Sequence, residues 1–252
     1  MLKFIKDIIA PKKCYSCKEE GHFLCEECFG KIEKHYFFDQ ICYKCKKYSK
    51  NFEVHLDCKK SYPLLGEDIG KTERGVFYDK TIILTHYKIK IIKTLIADFK
   101  FYYKKEVSDD FGEYLTEKMI KYMGEELKHF KKQDFVVISP PMSFFRKLKR
   151  GYNHSEILAK KIAGNFGFRF EKDIVLKNKY TRQQSKLSRQ KRLSNLQDAF
   201  KINKNKLDIL DKKIVILVDD VISTGTTVNE ISKILKNYNT KKIIIITIAS
   251  GY

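Results

Sequence analysis

Two adjacent carboxylates, Asp219 and Asp220, follow the apolar run from Val215 to Val218, and a short hydroxyl-rich loop, Ser223 to Thr227, follows them. Each part suits one job. The apolar run predicts a buried strand, so the acids stand at its carboxyl edge, where open α/β sheets bind ligands. The loop offers backbone N–H groups and the hydroxyls of Ser223, Thr224, Thr226 and Thr227 to a phosphate, at the positive end of the helix that follows. Gly225 lets the backbone approach without a side chain in the way. Together they ask for a ligand with one terminal phosphate and vicinal hydroxyls, a demand that a ribose 5-phosphate meets. The loop has no lysine and no GK[ST], and GxGxxG is absent, so neither a Walker A loop nor a dinucleotide fingerprint is present.

A second chemistry lies in the first quarter of the chain, which holds every cysteine: Cys14, Cys17, Cys25, Cys28, Cys42, Cys45 and Cys58. Six of them form Cys-x-x-Cys pairs, a spacing that lets two thiolates converge on one ion from a tight turn. An odd count, the chain length and an N-terminus without a secretory signal argue against a disulfide framework. Zinc is the better reading. Cys14, Cys17, Cys25 and Cys28 can close one tetrahedral site across a hairpin at Glu20-Gly21, with Cys28 opening a helix; cross-bracing with Cys42 and Cys45 is the alternative. For Cys42, Cys45 and Cys58, His55 is a candidate fourth ligand, against a decayed site that leaves free thiols. A site closed by four ligands has no open position for water, so its job is structural.

Charge points to a third feature. The chain of 252 residues carries a net +20, and residues 128–206 alone hold 21 Lys and Arg against 5 Asp and Glu. Such a concentrated excess favours a polyanionic partner, either nucleic acid or a phosphorylated small molecule, over a merely soluble surface. No apolar run exceeds Ile243 to Ala249, itself broken by Thr247, which is far short of the ~20 residues of a membrane span. The composition likewise excludes collagenous, mucin-like and disordered classes.

The elements that must position these residues follow from apolar spacing. The first ten residues resemble an amphipathic helix, and Ser61 to Gly75 is a turn-rich link. A strand is expected at Ile82 to Thr85, then a helix with Ile89, Ile92, Leu95, Ile96 and Phe99 inward. A second helix is expected from an N-cap at Ser108 through Leu115, Ile120 and Leu127. Phe135 to Ile138 reads as a buried strand ended by Pro140-Pro141, and Glu156 to Ala163 as a helix. Leu176 to Gln197 has no apolar period and reads as a long loop. Ile214 to Val218 and Ile243 to Ile248 are continuous apolar strands around a helix at Thr227 to Lys236. Strands alternating with helices, and apolar on both faces, indicate an α/β domain with a parallel sheet.

The segment Val215 to Thr227 resembles the PRPP-binding motif of type I phosphoribosyltransferases, and the chain as a whole resembles the ComF (ComFC) family of competence proteins. The residues that carry the second likeness are Arg150-Gly-Tyr-Asn153 with Glu156 to Ala159, Thr181, Gln184, Leu187-Ser188, Arg192, Asn195, Ala199-Phe200 and the paired cysteines. Departures are Tyr152, His154, Ser139-Pro140-Pro141, and Ser61 where the family has an eighth cysteine. The resemblance implies a type I phosphoribosyltransferase-like parallel sheet over residues 76–252, a linker at 61–75 and a small zinc-binding module at 1–60. It implies that Asp219 and Asp220 hold the ribose hydroxyls, that one of them helps position Mg²⁺, and that Ser223, Thr224, Gly225, Thr226 and Thr227 hold the 5-phosphate. The loop after Ser139 would meet the pyrophosphate, with Arg150 the first choice over Arg146 and Lys149 because guanidinium binds phosphate oxygens in a bidentate way. The segment Lys179 to Arg192 would be the flexible catalytic loop.

The function so implied is cytoplasmic DNA uptake in natural transformation. PRPP and single-stranded DNA would be the ligands, and a cytoplasmic DNA helicase of the uptake machinery a further partner. Lys147, Lys149, Lys186, Arg189, Lys191 and Arg192 are the candidates for nucleic-acid phosphates, with Phe144, Phe145, Tyr152, Phe166, Phe168 and Tyr180 as possible stacking groups. The alternatives are a nucleotide-salvage phosphoribosyltransferase acting on a nucleobase, and a PRPP sensor without turnover.

Overall fold

Continuous Ile- and Val-rich runs suit a sheet covered on both faces. The computed structural model describes residues 11–35, 40–59, 62–63, 72–73, 75–102, 104–178 and 199–251. In chain order these form α1 (Glu26–His35), α2 (Leu56–Lys59), β1 (Tyr62–Pro63), β2 (Thr72–Glu73), β3 (Lys80–His86), α3 (Lys90–Phe101) and α4 (Val107–Tyr122). Next come α5 (Gly124–His129), β4 (Phe135–Ile138), α6 (Phe144–Arg150), α7 (His154–Phe166), β5 (Arg169–Phe170) and β6 (Val175–Lys177). The remaining elements are β7 (Phe200–Ile202), β8 (Ile214–Ile222), α8 (Thr226–Lys236) and β9 (Lys242–Ser250).

One sheet has the order β3-β9-β8-β4-β5, with every neighbouring pair parallel. The chain leaves β4 through α7 toward β5 and leaves β8 through α8 toward β9, in opposite directions across the sheet. Right-handed crossovers therefore put α7 and α8 on opposite faces and open a crevice between the carboxyl ends of β4 and β8. Residues Ile214 to Val218 and Ile243 to Ile246 are fully buried at its centre. Helix α4 covers β3 and β9, α7 covers β8, β4 and β5, and the two helices pack on each other.

The cysteine-bearing segments share this core. Asp110, in the first turn of α4, accepts the N–H groups of Phe23 and Leu24 at 2.8 and 3.0 Å. Tyr114, one turn on, donates to the Leu24 carbonyl at 2.6 Å and stacks on Phe29. Asp79 ties the second cysteine segment to the sheet by pairing with Lys59 (2.7 Å) and Lys236 (2.9 Å) while accepting the Ile243 N–H (2.8 Å).

Several expected elements shift. Ser108 is not the N-cap of α4: the helix begins at Val107, and the Ser108 hydroxyl donates to the Lys105 carbonyl at 2.7 Å. The same helix stops at Tyr122 rather than running through Leu127, because the chain breaks at Met123-Gly124. The break brings Glu126 within 2.7 Å of the buried Lys80 ammonium. The first-cluster helix opens at Glu26, two residues before Cys28. Val175–Lys177 pairs with Phe200–Ile202 as an antiparallel ribbon, so the expected loop begins later than Leu176. The N-terminal ten residues and residues 179–198 lie outside the described residues, as does Ser61.

Candidate functional site

The acids sit in a longer strand than their charge suggested. Strand β8 pairs with β9 through Ile222, so Asp219 and Asp220 are the sixth and seventh of its residues. The crevice at this edge is a cavity of about 230 Å³. Lys100, Arg146, Arg150 and Lys177 line it together with Asp219, Asp220 and the whole of Ser223 to Thr227. Four cations against two carboxylates give the lining an excess of positive charge.

Each acid has its own partners. Asp219 accepts the Ser155 hydroxyl at 2.8 Å, and burial pushes its carboxyl up to about 6, against the pull of that hydrogen bond and of Lys100. Asp220 is 5% exposed, and its Oδ2 is ion-paired with Lys100 and lies 3.1 Å from His154 Nε2. Burial, reinforced by Lys100, Arg150 and Arg146, pushes His154 down to about 2, so the imidazole is neutral and the cation against Asp220 is Lys100. Burial also lowers Lys100 to about 8.

The loop beyond has the build of an anion cradle. Gly225 has φ +73, which favours glycine, and the Thr224 and Thr226 hydroxyls are 2.8 Å apart. Helix α8 starts at Thr226 and its first bond runs from the Asn229 N–H to the Gly225 carbonyl. Opposite, Asn153 donates to the Pro140 carbonyl at 3.1 Å and so fastens the turn after β4 to the start of α7. Hard carboxylate oxygens such as those of Asp219 and Asp220 suit Mg²⁺, which takes few protein ligands and keeps its other positions for water or phosphate oxygens.

Of the expected site residues, Asp219, Asp220, Arg150 and Ser223 to Thr227 converge on this cavity. Arg150 ends α6 and lies with its guanidinium 4.6 Å from the Phe101 ring centroid. Lys147 and Lys149 are on the same helix but exposed and outside the cavity, beside Phe144, Phe145 and Leu148, which are also exposed. Tyr152 and Phe168 are buried and therefore not stacking groups; Phe166 stacks on Phe168. Lys186, Arg189, Lys191, Arg192 and Tyr180 lie outside the described residues. Sequence reasoning missed Lys100, Ser155 and Lys177, and treated His154 as a mild departure.

The cysteines form two separate sets. Cys14, Cys17, Cys25 and Cys28 bring their ligand atoms within 4.8 Å of one another, and so do Cys42, Cys45, His55 and Cys58. Among the described residues no cross-brace forms: each set draws on its own stretch of chain. In the second, His55 Nδ1 is 3.3 Å from Cys45 Sγ while Nε2 lies 3.0 Å from the Tyr48 carbonyl, the outer hydrogen bond that fixes a ligating imidazole. A tetrahedron of ~2.3 Å metal–sulfur bonds has edges of about 3.8 Å, so both sets fit one ion each.

Comparison with known proteins places the chain in a family. The phosphoribosyl transferase domain model matches residues 118–251. Competence protein F of Haemophilus influenzae is 29% identical, over 88% of this chain and 94% of its own length. Competence protein ComFC of Streptococcus pneumoniae is 26% identical, over 95% and 93%. DNA utilization protein YhgH of Escherichia coli is 34% identical over a shorter stretch, 39% of this chain and 42% of its own. With the domain match spanning more than half of its residues and these likenesses extending along nearly all of it, the chain belongs to the phosphoribosyl transferase domain family and resembles its ComF competence proteins.

Proposed function

We propose that this chain is a ComF-type protein of DNA uptake that binds PRPP with Mg²⁺ in the β8 crevice and single-stranded DNA on its basic surface, in the cytoplasm. One observation carries the reading: a carboxylate pair and a hydroxyl loop meet at the switch point of a parallel sheet, in a cavity ringed by Lys100, Arg146, Arg150 and Lys177. Asp219 and Asp220 would take the ribose hydroxyls and Ser223 to Thr227 the 5-phosphate. The pyrophosphate would lie toward Arg146 and Arg150. The names of the relatives support a role in DNA uptake. Zinc is the ion we assign to both cysteine sets, because tetrahedral thiolate and imidazole donors suit it. The cytoplasm is the compartment that keeps such thiolates reduced. Among the described residues no helix is long and apolar enough to cross a membrane.

The test is calorimetric titration of PRPP with Mg²⁺ into wild type and Asp220→Ala. Wild type should bind and the variant should lose at least tenfold in affinity; no binding to wild type would overturn the reading. Pyrophosphate release on the same proteins with a panel of nucleobases separates binding from transfer. Turnover with any base, abolished in Asp220→Ala, would establish the salvage enzyme instead. A helicase partner is to be sought by pull-down with the uptake machinery.

A further inference from the structure

Tyr43 stands between Cys42 and Cys45, inside the knuckle of the second cysteine set, and its side chain reaches the loop beyond Asp220. Its hydroxyl donates to the carbonyls of Ile222, at 3.2 Å, and Ser223. Its ring lies 3.6 Å from where a Cβ on Gly225 would stand, and the residue is 4% exposed. On the other side, the Gly251 N–H donates to the same Ile222 carbonyl at 2.8 Å. The loop is thus gripped between the end of β9 and the knuckle.

The grip has a direction. In a trans peptide the C=O and the following N–H point opposite ways. Carbonyls of Ile222 and Ser223 held toward the phenol therefore turn the N–H groups of Ser223 and Thr224 away from it. The position of Tyr43 is in turn set by the knuckle, through the Cys42 N–H to Lys47 carbonyl and Lys46 N–H to Cys42 carbonyl bonds, both 2.9 Å. The convergence of Cys42, Cys45, His55 and Cys58 closes the other side of that turn.

We propose that Tyr43 is a positioning residue that couples closure of the Cys42, Cys45, His55 and Cys58 set around its ion to the backbone of residues 222–225, so that opening the set loosens the loop and weakens binding of a sugar phosphate. The last clause rests on the reading of Ser223 to Thr227 as the phosphate cradle; the coupling itself does not.

Amide hydrogen exchange on the full-length, metal-loaded protein tests the coupling without any ligand. Tyr43→Phe keeps the ring and removes the hydroxyl, His55→Ala opens the set, and Tyr114→Phe deletes an equally buried phenol that serves the Leu24 carbonyl instead. Exchange of residues 222–227 should quicken about tenfold in Tyr43→Phe and in His55→Ala. The double variant should be no faster than either, and Tyr114→Phe should match wild type. Protection of Ile214 to Val218 should hold throughout. Unchanged exchange in Tyr43→Phe, additive effects in the double variant, or equal quickening in Tyr114→Phe would each overturn the coupling. Should His55→Ala fail to fold, Tyr43→Phe against Tyr114→Phe still decides. Titration of the same proteins with PRPP and Mg²⁺ separates the two readings. A wild type that does not bind while the exchange coupling stands overturns the phosphate reading alone. Normal PRPP affinity in Tyr43→Phe despite quickened exchange overturns the effect on the ligand.

Discussion

Asp219 and Asp220 are neighbours in sequence, both near Lys100, but each has its own partner at the start of α7. Asp219 faces Ser155 with its carboxyl raised to about 6 by burial. The sign of its pH dependence follows. A carboxyl that holds its proton more tightly folded than unfolded favours the folded state as pH drops from above 6 toward the ordinary carboxylate value near 4. Over the same interval the carboxylate proposed to take ribose or Mg²⁺ disappears. Relative to Asp219→Asn, wild type should therefore gain stability as pH falls below about 6 while its PRPP affinity declines, and a pH series of both measurements on the two proteins checks this. Asp220 depends on Lys100 for its counter-charge, since His154 is neutral. Lys100→Met should cost about 3 kcal/mol of stability near neutral pH, the scale for a buried charge that loses its partner. Mg²⁺ should restore part of it in chemical denaturation. The acids were legible because two charges after an apolar run are conspicuous. Lys100 was not, because a lysine beside the inward Phe99 of a helix looks like any solvated side chain until the fold brings α3 over the end of β8.

At the scale of elements, the buried strands were legible wherever apolar runs were continuous, and β4 keeps its expected bounds, Phe135–Ile138. The end of β8 was not, since the acids interrupt hydropathy without interrupting the ladder: Asp219 still pairs with Thr247 and Ile222 with Ser250. Helix α6 escaped for a different reason. Phe144, Phe145 and Leu148 are exposed, so no inward stripe marks it, and its signals are confined to its ends, Ser143 before it and the left-handed Gly151 after it. The turn at Gly225 is sensitive to a single substitution. A Cβ there would meet Tyr43, Tyr78 and Ile222 at 3.6 to 3.8 Å, which is ordinary contact, so the cost of Gly225→Ala comes from its φ of +73. That strain is about 1–2 kcal/mol. The melting temperature should fall by ~2–4 °C per kcal/mol in a chain of this size, with no change in metal content.

For the molecule as a whole, the question raised by the net charge is whether one basic surface serves one ligand or two. Helix α6 divides the matter by face: Arg146 and Arg150 line the cavity, while Lys147 and Lys149 are exposed and do not. The exposed rings of Phe144 and Phe145 stand beside those lysines, which is the pairing of charge and stacking surface that single strands require. Lys186, Arg189, Lys191 and Arg192 add to the same block in sequence. Each phosphate neutralised on a single strand contributes about 0.7 to the slope of log affinity against log salt. Lys147→Ala with Lys149→Ala should therefore weaken binding of a single-stranded oligonucleotide and flatten its salt slope by about 1.4. PRPP affinity should stay at the wild-type value. Arg150→Ala should instead lower PRPP affinity most, because its guanidinium faces the cavity. If the lysine pair and Arg150 reduce both affinities in the same ratio, the two ligands share one site and the division of α6 by face is wrong; anisotropy titrations at several salt concentrations, beside calorimetry with PRPP, decide it.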